Sequence, residues 1–115
     1  MTSAADGAAR DSLSARIRLS LARADLPFFD EVAMFGGTSF MVDDEMVVHS
    51  RAGGHLLVRV EKARHDELLA RDGASQAEMG TGRSMGAGWI DVASGAIADD
   101  DALDSWVGVA LARPR

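Results

Sequence analysis

The spacing of apolar positions changes several times along the chain, and each change marks a predicted element. From Asp11, a residue type that caps helices, Leu13, Ile17 and Leu21 recur every four residues among Arg and Ser. That period predicts an amphipathic helix of about three turns. It should end near Asp25, because Pro27 disfavours helical geometry at Leu26. Residues 28–35 read as extended, with imperfect alternation. Residues 38–42 and 46–50 are rich in β-branched, aromatic and Met side chains, and only Asp43-Asp44-Glu45 separates them, which is the spacing of a hairpin. A third strand follows, with Leu56, Val58 and Val60 pointing to one face and Leu57, Arg59 and Glu61 to the other.

Beyond Val60 the period lengthens again. Residues 63–72, with Leu68 and Leu69, predict a short helix closed by Gly73 at its C′ position. A weakly patterned strand near residues 76–79 leads to a loop through Gly80-Thr81-Gly82, and Trp89-Ile90-Asp91-Val92 is a clear late strand. The last helix starts at Asp99-Asp100-Asp101, where capping and the helix dipole favour carboxylates, and repeats Leu103, Trp106, Val107, Ala110 and Leu111 at helical spacing up to Arg113 and the stop at Pro114. The order is helix, three strands, helix, two strands, helix. It predicts the α+β class: an antiparallel sheet with helices packed mainly on one face. Residues 1–10 lack a periodic pattern and read as a disordered tail, which leaves 11–113 as one domain.

Strand alternation also predicts what each sheet face carries. If Phe40, Val42, Met46 and Val48 meet the helices, Met41 and Val47 lie on the opposite face with Leu57 and Trp89. With only three helices that face should be open, and an open apolar face is an interface for a second copy of the chain or for a partner protein. The methionines, five of which (Met34, Met41, Met46, Met79 and Met85) fall in or beside strands, suit an irregular core or an adaptable contact surface.

Composition narrows the function classes. With 115 residues and 47% apolar content the chain can bury one core. No apolar run approaches the ~18 residues of a membrane span, and the first ten residues lack a signal-peptide pattern, so the expectation is a cytoplasmic protein without membrane contact. The absence of cysteine excludes disulfides and thiolate chemistry. A formal charge of −6 disfavours direct nucleic-acid binding.

Candidate chemistry is sparse. The Gly36-Gly37 pair precedes a strand, whereas a phosphate cradle needs a following helix, so the pair reads as a bend or a close backbone approach. His49, His55 and His65 match no H-x-x-x-H or H-E-x-x-H spacing. His49 and His55 flank a turn and could face each other with Asp43 or Glu45 nearby, but they read as exposed strand ends. Ser84 and Thr81 lie in a loop without a G-x-S-x-G elbow. The two acidic runs read as a turn and a helix start. No catalytic residue, cofactor-binding residue, cofactor or metal ligand is therefore assigned, and a non-enzymatic protein is expected.

Several motifs in order carry a resemblance. Met34-Phe35-Gly36-Gly37 enters the first hairpin, Met46 opens its second strand, and Leu56-Leu57-Val58-Arg59-Val60 forms the third. Arg83-Ser84-Met85 then precedes Gly88-Trp89, and Ala98-Asp99-Asp100 leads to Trp106. Over residues 28–111 this set resembles the TfoX (Sxy) N-terminal domain family. The hairpin turn departs from the family's usual glycine-containing pair. The length is that of a standalone member lacking the C-terminal domain. The resemblance implies an α-β(3)-α-β(2)-α order in two layers, similar to secretion-chaperone-like domains, and an association with transcriptional regulation of competence through other proteins. A protein-interaction or regulatory module is the first expectation. The alternative is a small-molecule-binding domain or enzyme with a pocket between sheet and helices, near Gly36, Gly37, Arg59 and Trp89.

Overall fold

A computed structural model describes residues 4–26, 28–80 and 82–113. Its elements are α1 (Ala4–Arg23), β1 (Asp30–Met34), β2 (Gly37–Val42), β3 (Glu45–Ser50), β4 (Leu56–Arg59), α2 (His65–Leu69), β5 (Ala74–Gln76), β6 (Trp89–Val92) and α3 (Asp100–Leu111), with short 3-10 turns at Ala52–Gly54, Lys62–Arg64 and Ser94–Ile97. All strand pairs are antiparallel, in the order β1-β2-β3-β4-β6-β5. The α+β architecture is the expected one. The extended segment before the glycine pair is a full edge strand, so the first run holds four strands and the sheet six.

The first helix begins earlier than its apolar repeat. Ala4 to Arg10 are helical, where a tail was expected, and residues 1–3 lie outside the described residues. Alanines, the best helix formers, extend the helix without needing an apolar repeat. Arg10 Nη1 donates to the Gly36 carbonyl at 3.2 Å, which ties the first turns to the β1–β2 hairpin. At its other end α1 closes with the two bonds of a Schellman motif: Leu26 N–H donates to the Leu21 carbonyl and Asp25 N–H to the Ala22 carbonyl, with Asp25 at φ +58°. Pro27, the expected stop signal, lies outside the described residues, as do Thr81 and Pro114.

Both early hairpins are tight. Met34 pairs with Gly37 and Val42 with Glu45, so only two residues form each turn. Phe35 and Gly36 have φ +52° and +73°, and Asp43 and Asp44 have +52° and +66°, the positive values that type I′ turns require. The three-residue acidic turn expected from the sequence is thus a two-residue one, with Glu45 already in the ladder.

Core packing uses one sheet face. Leu13, Ile17 and Leu21 of α1 and Leu103, Trp106, Val107 and Ala110 of α3 bury against Phe40, Val42, Val48, Leu56, Val58, Ile90 and Val92. Polar contacts fix the two helices to each other: Ser20 Oγ donates to Asp104 Oδ1 at 2.6 Å, and Arg23 donates to both Asp104 oxygens at 2.7 and 2.8 Å. Asp99 caps α3 through Ala102 N–H at 2.7 Å, as its acidic run predicts. The second helix is shorter than residues 63–72. A 3-10 turn precedes its five residues, and Gly73 lies farther on, in the turn into β5, instead of at C′. No helix of the described residues is long and apolar enough to cross a membrane.

One register shift rearranges the faces. Phe40 pairs with Val48 but Met41 pairs with Met46, leaving Val47 as the extra residue of a β-bulge. Val47 therefore joins the helix-side core at 1% exposure, and Met46 turns to the other face beside Met41. Both placements reverse the strict alternation expected from the sequence.

Candidate functional site

The face without helices carries the densest set of unassigned side chains. Strand register places Val32, Ser39, His49, Leu57, Asp91 and Ser75 in one row across all six strands. The chain between β5 and β6 folds back over this row. Met79 N–H donates to the Arg83 carbonyl at 2.7 Å and Met85 N–H to the Ala77 carbonyl at 2.9 Å, with a bridge between Glu78 and Ser84. The loop brings Met79 and Met85 beside Phe35, Met46 and Leu57 around a mainly apolar cavity of about 220 Å³. A face expected to be open is partly roofed by the chain's own loop.

At the rim of this cavity two polar groups are built differently. His49 is 2% exposed, and its Nδ1 lies 2.6 Å from Ser39 Oγ, itself fully buried. Burial, helped by the nearby Arg51 charge, lowers the His49 pKa to about 4, so the imidazole is neutral at pH 7. Toward solvent, Asp91 receives Arg51 Nη1 at 3.1 Å on one oxygen and faces His55 Nδ1 at 2.8 Å with the other. Arg51 Nη2 also donates to the Glu78 carbonyl at 2.8 Å, which ties the roof loop to the sheet.

The third histidine has a structural role. Gly88 N–H donates to His65 Nδ1 at 2.9 Å, so Nε2 carries the proton and donates to Gln76 Oε1 at 2.8 Å. Gln76 in turn donates to the Gly86 carbonyl. His49 and His55, read as exposed strand ends that could also face each other, do neither as a pair: His49 is buried against Ser39, His55 is bound to Asp91, and Glu45 lies at the opposite end of β3. Among the described residues no group of three or more His, Asp or Glu is placed to hold a metal ion. Ser84 Oγ accepts from Gly86 N–H in an exposed turn, and among the described residues it hydrogen-bonds to no histidine.

The four residues expected to form an interface are dispersed. Leu57 is on the cavity floor at 5% exposure, and Met41 is half-buried on the same face. Val47 is in the opposite core, placed there by the bulge. Trp89 shares the helix-free face but lies under Arg59, whose guanidinium carbon is 5.2 Å from the ring centroid. Of the motif residues, Met46, Met85 and Phe35 line the cavity, whereas Met34 ends β1, Gly88 is buried and Trp106 fills the core under Arg71. The expected pocket near Gly36, Gly37, Arg59 and Trp89 divides: Arg59 and Trp89 line one cavity, Gly36 borders another with Arg51 and His55, and Gly37 packs on β3.

Sequence reasoning missed Phe35 as an exposed residue. It is 82% exposed at a hairpin tip, and Met79 beside it is 55% exposed. The available signal was an aromatic directly before glycine between two strands. The Arg51–Asp91–His55 group had no local signal, because Asp91 lies 40 residues from Arg51.

The ordered motifs carried by this face and core agree with a family comparison. A family model described as the TfoX N-terminal domain matches residues 10–113. The chain belongs to the TfoX N-terminal domain family. Among curated proteins and among solved structures, nothing matches the chain. For this TfoX N-terminal domain, family membership accounts for the fold and for the ordered motifs.

Proposed function

We propose that this TfoX N-terminal domain is a cytoplasmic, non-enzymatic module that docks a protein on its helix-free sheet face, with a regulatory consequence. The observation that carries the reading is Phe35. A bulky aromatic at φ +52° is strained where Asn, Asp or Gly is usual, and 82% of its surface is open to water. Neither choice helps the fold, so the residue fits a contact in which the ring is buried by something else. Met79, Met46 and Met85 around it are adaptable side chains suited to such a contact.

Support for the non-enzymatic part comes from the Ser39–His49 pair. It is the only Ser–His contact among the hydrogen bonds of the described residues, and both side chains are buried, with Ser39 fully so. The regulatory part rests on family membership alone.

Placing a photo-crosslinking phenylalanine analogue at position 35 tests the reading in the native cell. One defined product, either a dimer of the chain or an adduct with a single partner, is expected, and an analogue at Arg83 should give none. No product from position 35, together with monomeric sedimentation, would overturn it.

A further inference from the structure

A second cavity, of about 330 Å³, lies where β4 ends and β6 begins, and Arg59, Lys62, Gly88, Trp89 and Arg113 line it. Its charge runs against the rest of the molecule, which carries −6 overall. Three cations border it, against the carboxylates of Glu61 in its wall and Glu45 behind it. Glu45 is shared: it is 3.2 Å from Arg113 Nη2 and 3.9 Å from Arg59 Nη1. The shorter contact is at ion-pair distance but is not aligned for a hydrogen bond. Nε and Nη2 of Arg113 are thus enclosed without an acceptor.

That state is unusual here. Arg10, Arg16, Arg18, Arg23, Arg51 and Arg64 each donate to a carboxylate and Arg71 to a hydroxyl, whereas Arg59, Arg83 and Arg113 donate no hydrogen bond among the described residues; Arg83 is open to water, and Arg113 alone has its nitrogens buried without an acceptor. An enclosed guanidinium lacking acceptors is costly, and an anion entering the cavity would offset that cost.

We propose that this cavity binds a small dianionic ligand of the phosphate class. Two guanidinium forks and an ammonium match the tetrahedral oxygens of a phosphate. The volume falls in the range of small-ligand sites, and Trp89 offers an apolar wall for the body of the ligand. The site is separate from the Phe35 surface and independent of the docking reading.

The test is an NMR titration of the full chain with inorganic phosphate, balanced with sodium chloride to constant ionic strength. Saturable amide shifts are expected at Lys62, Gly88 and Trp89. Arg113→Gln should weaken binding roughly tenfold or more, the size expected for losing a charge-assisted hydrogen bond. Because Arg113 is partly enclosed, Lys62→Gln at an exposed position gives a second reading that cannot be attributed to misfolding, and it should weaken binding several-fold. Shifts that do not saturate, that appear equally with chloride, or that survive in both variants would overturn the proposal.

Discussion

The Nε2 edge of His49 occupies the space that a side chain at Gly37 would need: a Cβ there would lie 2.7 Å from it and would also overlap the Ser50 carbonyl oxygen. Gly37 is therefore required by contact, whereas its neighbour Gly36 has open space around it. Gly37→Ala should destabilise the domain by more than about 2 kcal/mol, since backbone has to move. Gly36→Asn should cost well under about 1 kcal/mol because Asn tolerates positive φ. Urea unfolding of both variants checks the contrast, and equal losses would refute it.

The same burial makes His49 a pH-dependent element. Its folded pKa of about 4 lies below the ordinary 6.5, so between those values the unfolded chain binds the extra proton. Stability from the neutral imidazole is complete above pH 6.5 and is lost as pH falls toward 4, by up to about 3 kcal/mol. Glu31 and Asp104, held low by hydrogen bonds from Arg18 and Arg23, lose their contributions only as pH falls below their ordinary 4.5 and 3.8. Unfolding free energies measured from pH 7 to 4.5 should slope upward with pH, and His49→Gln should flatten that slope. An unchanged slope in the variant would assign the effect elsewhere.

Phe35 predicts an opposition between stability and binding. Phe35→Asn keeps φ +52° with a residue that accepts it, and should stabilise the isolated domain by roughly 1 kcal/mol. The same change should abolish the position-35 contact, since the ring is its anchor. Thermal unfolding and sedimentation on one sample measure both sides. A variant that loses stability would show that the ring supports the fold.

Much of this fold was legible because burial on one face writes a period into the sequence. Leu13, Ile17 and Leu21, the strand Trp89–Val92 and the Asp99 cap all follow from local patterns. The Ala4–Arg10 turns escaped, because a helix held by alanine propensity, by packing of Ala9 on Gly54 and by the Arg10 contact shows no apolar repeat. The candidate site was largely illegible. Arg51, His55 and Asp91 meet through the β3–β4–β6 ladder, and the roof loop of Met79 and Met85 is held by backbone bonds that side-chain patterns do not encode.

The bulge at Val47 gives the sharpest test of where sequence alternation failed. Strict period-two reading assigns Met46 to the helix-side core and Val47 to the outer face, and the register shift between Phe40 and Met41 exchanges them. Val47 is 1% exposed within the main cluster, so Val47→Ala should remove buried methyl groups and leave a void, at a cost on the order of 2 kcal/mol. Met46 is half-buried beside the 220 Å³ cavity, where a polar side chain can reach water, so Met46→Gln should change stability by less than about 1 kcal/mol. Without the bulge the two results would be exchanged. Chemical denaturation of the pair therefore decides the register, and a larger loss for Met46→Gln than for Val47→Ala would refute it.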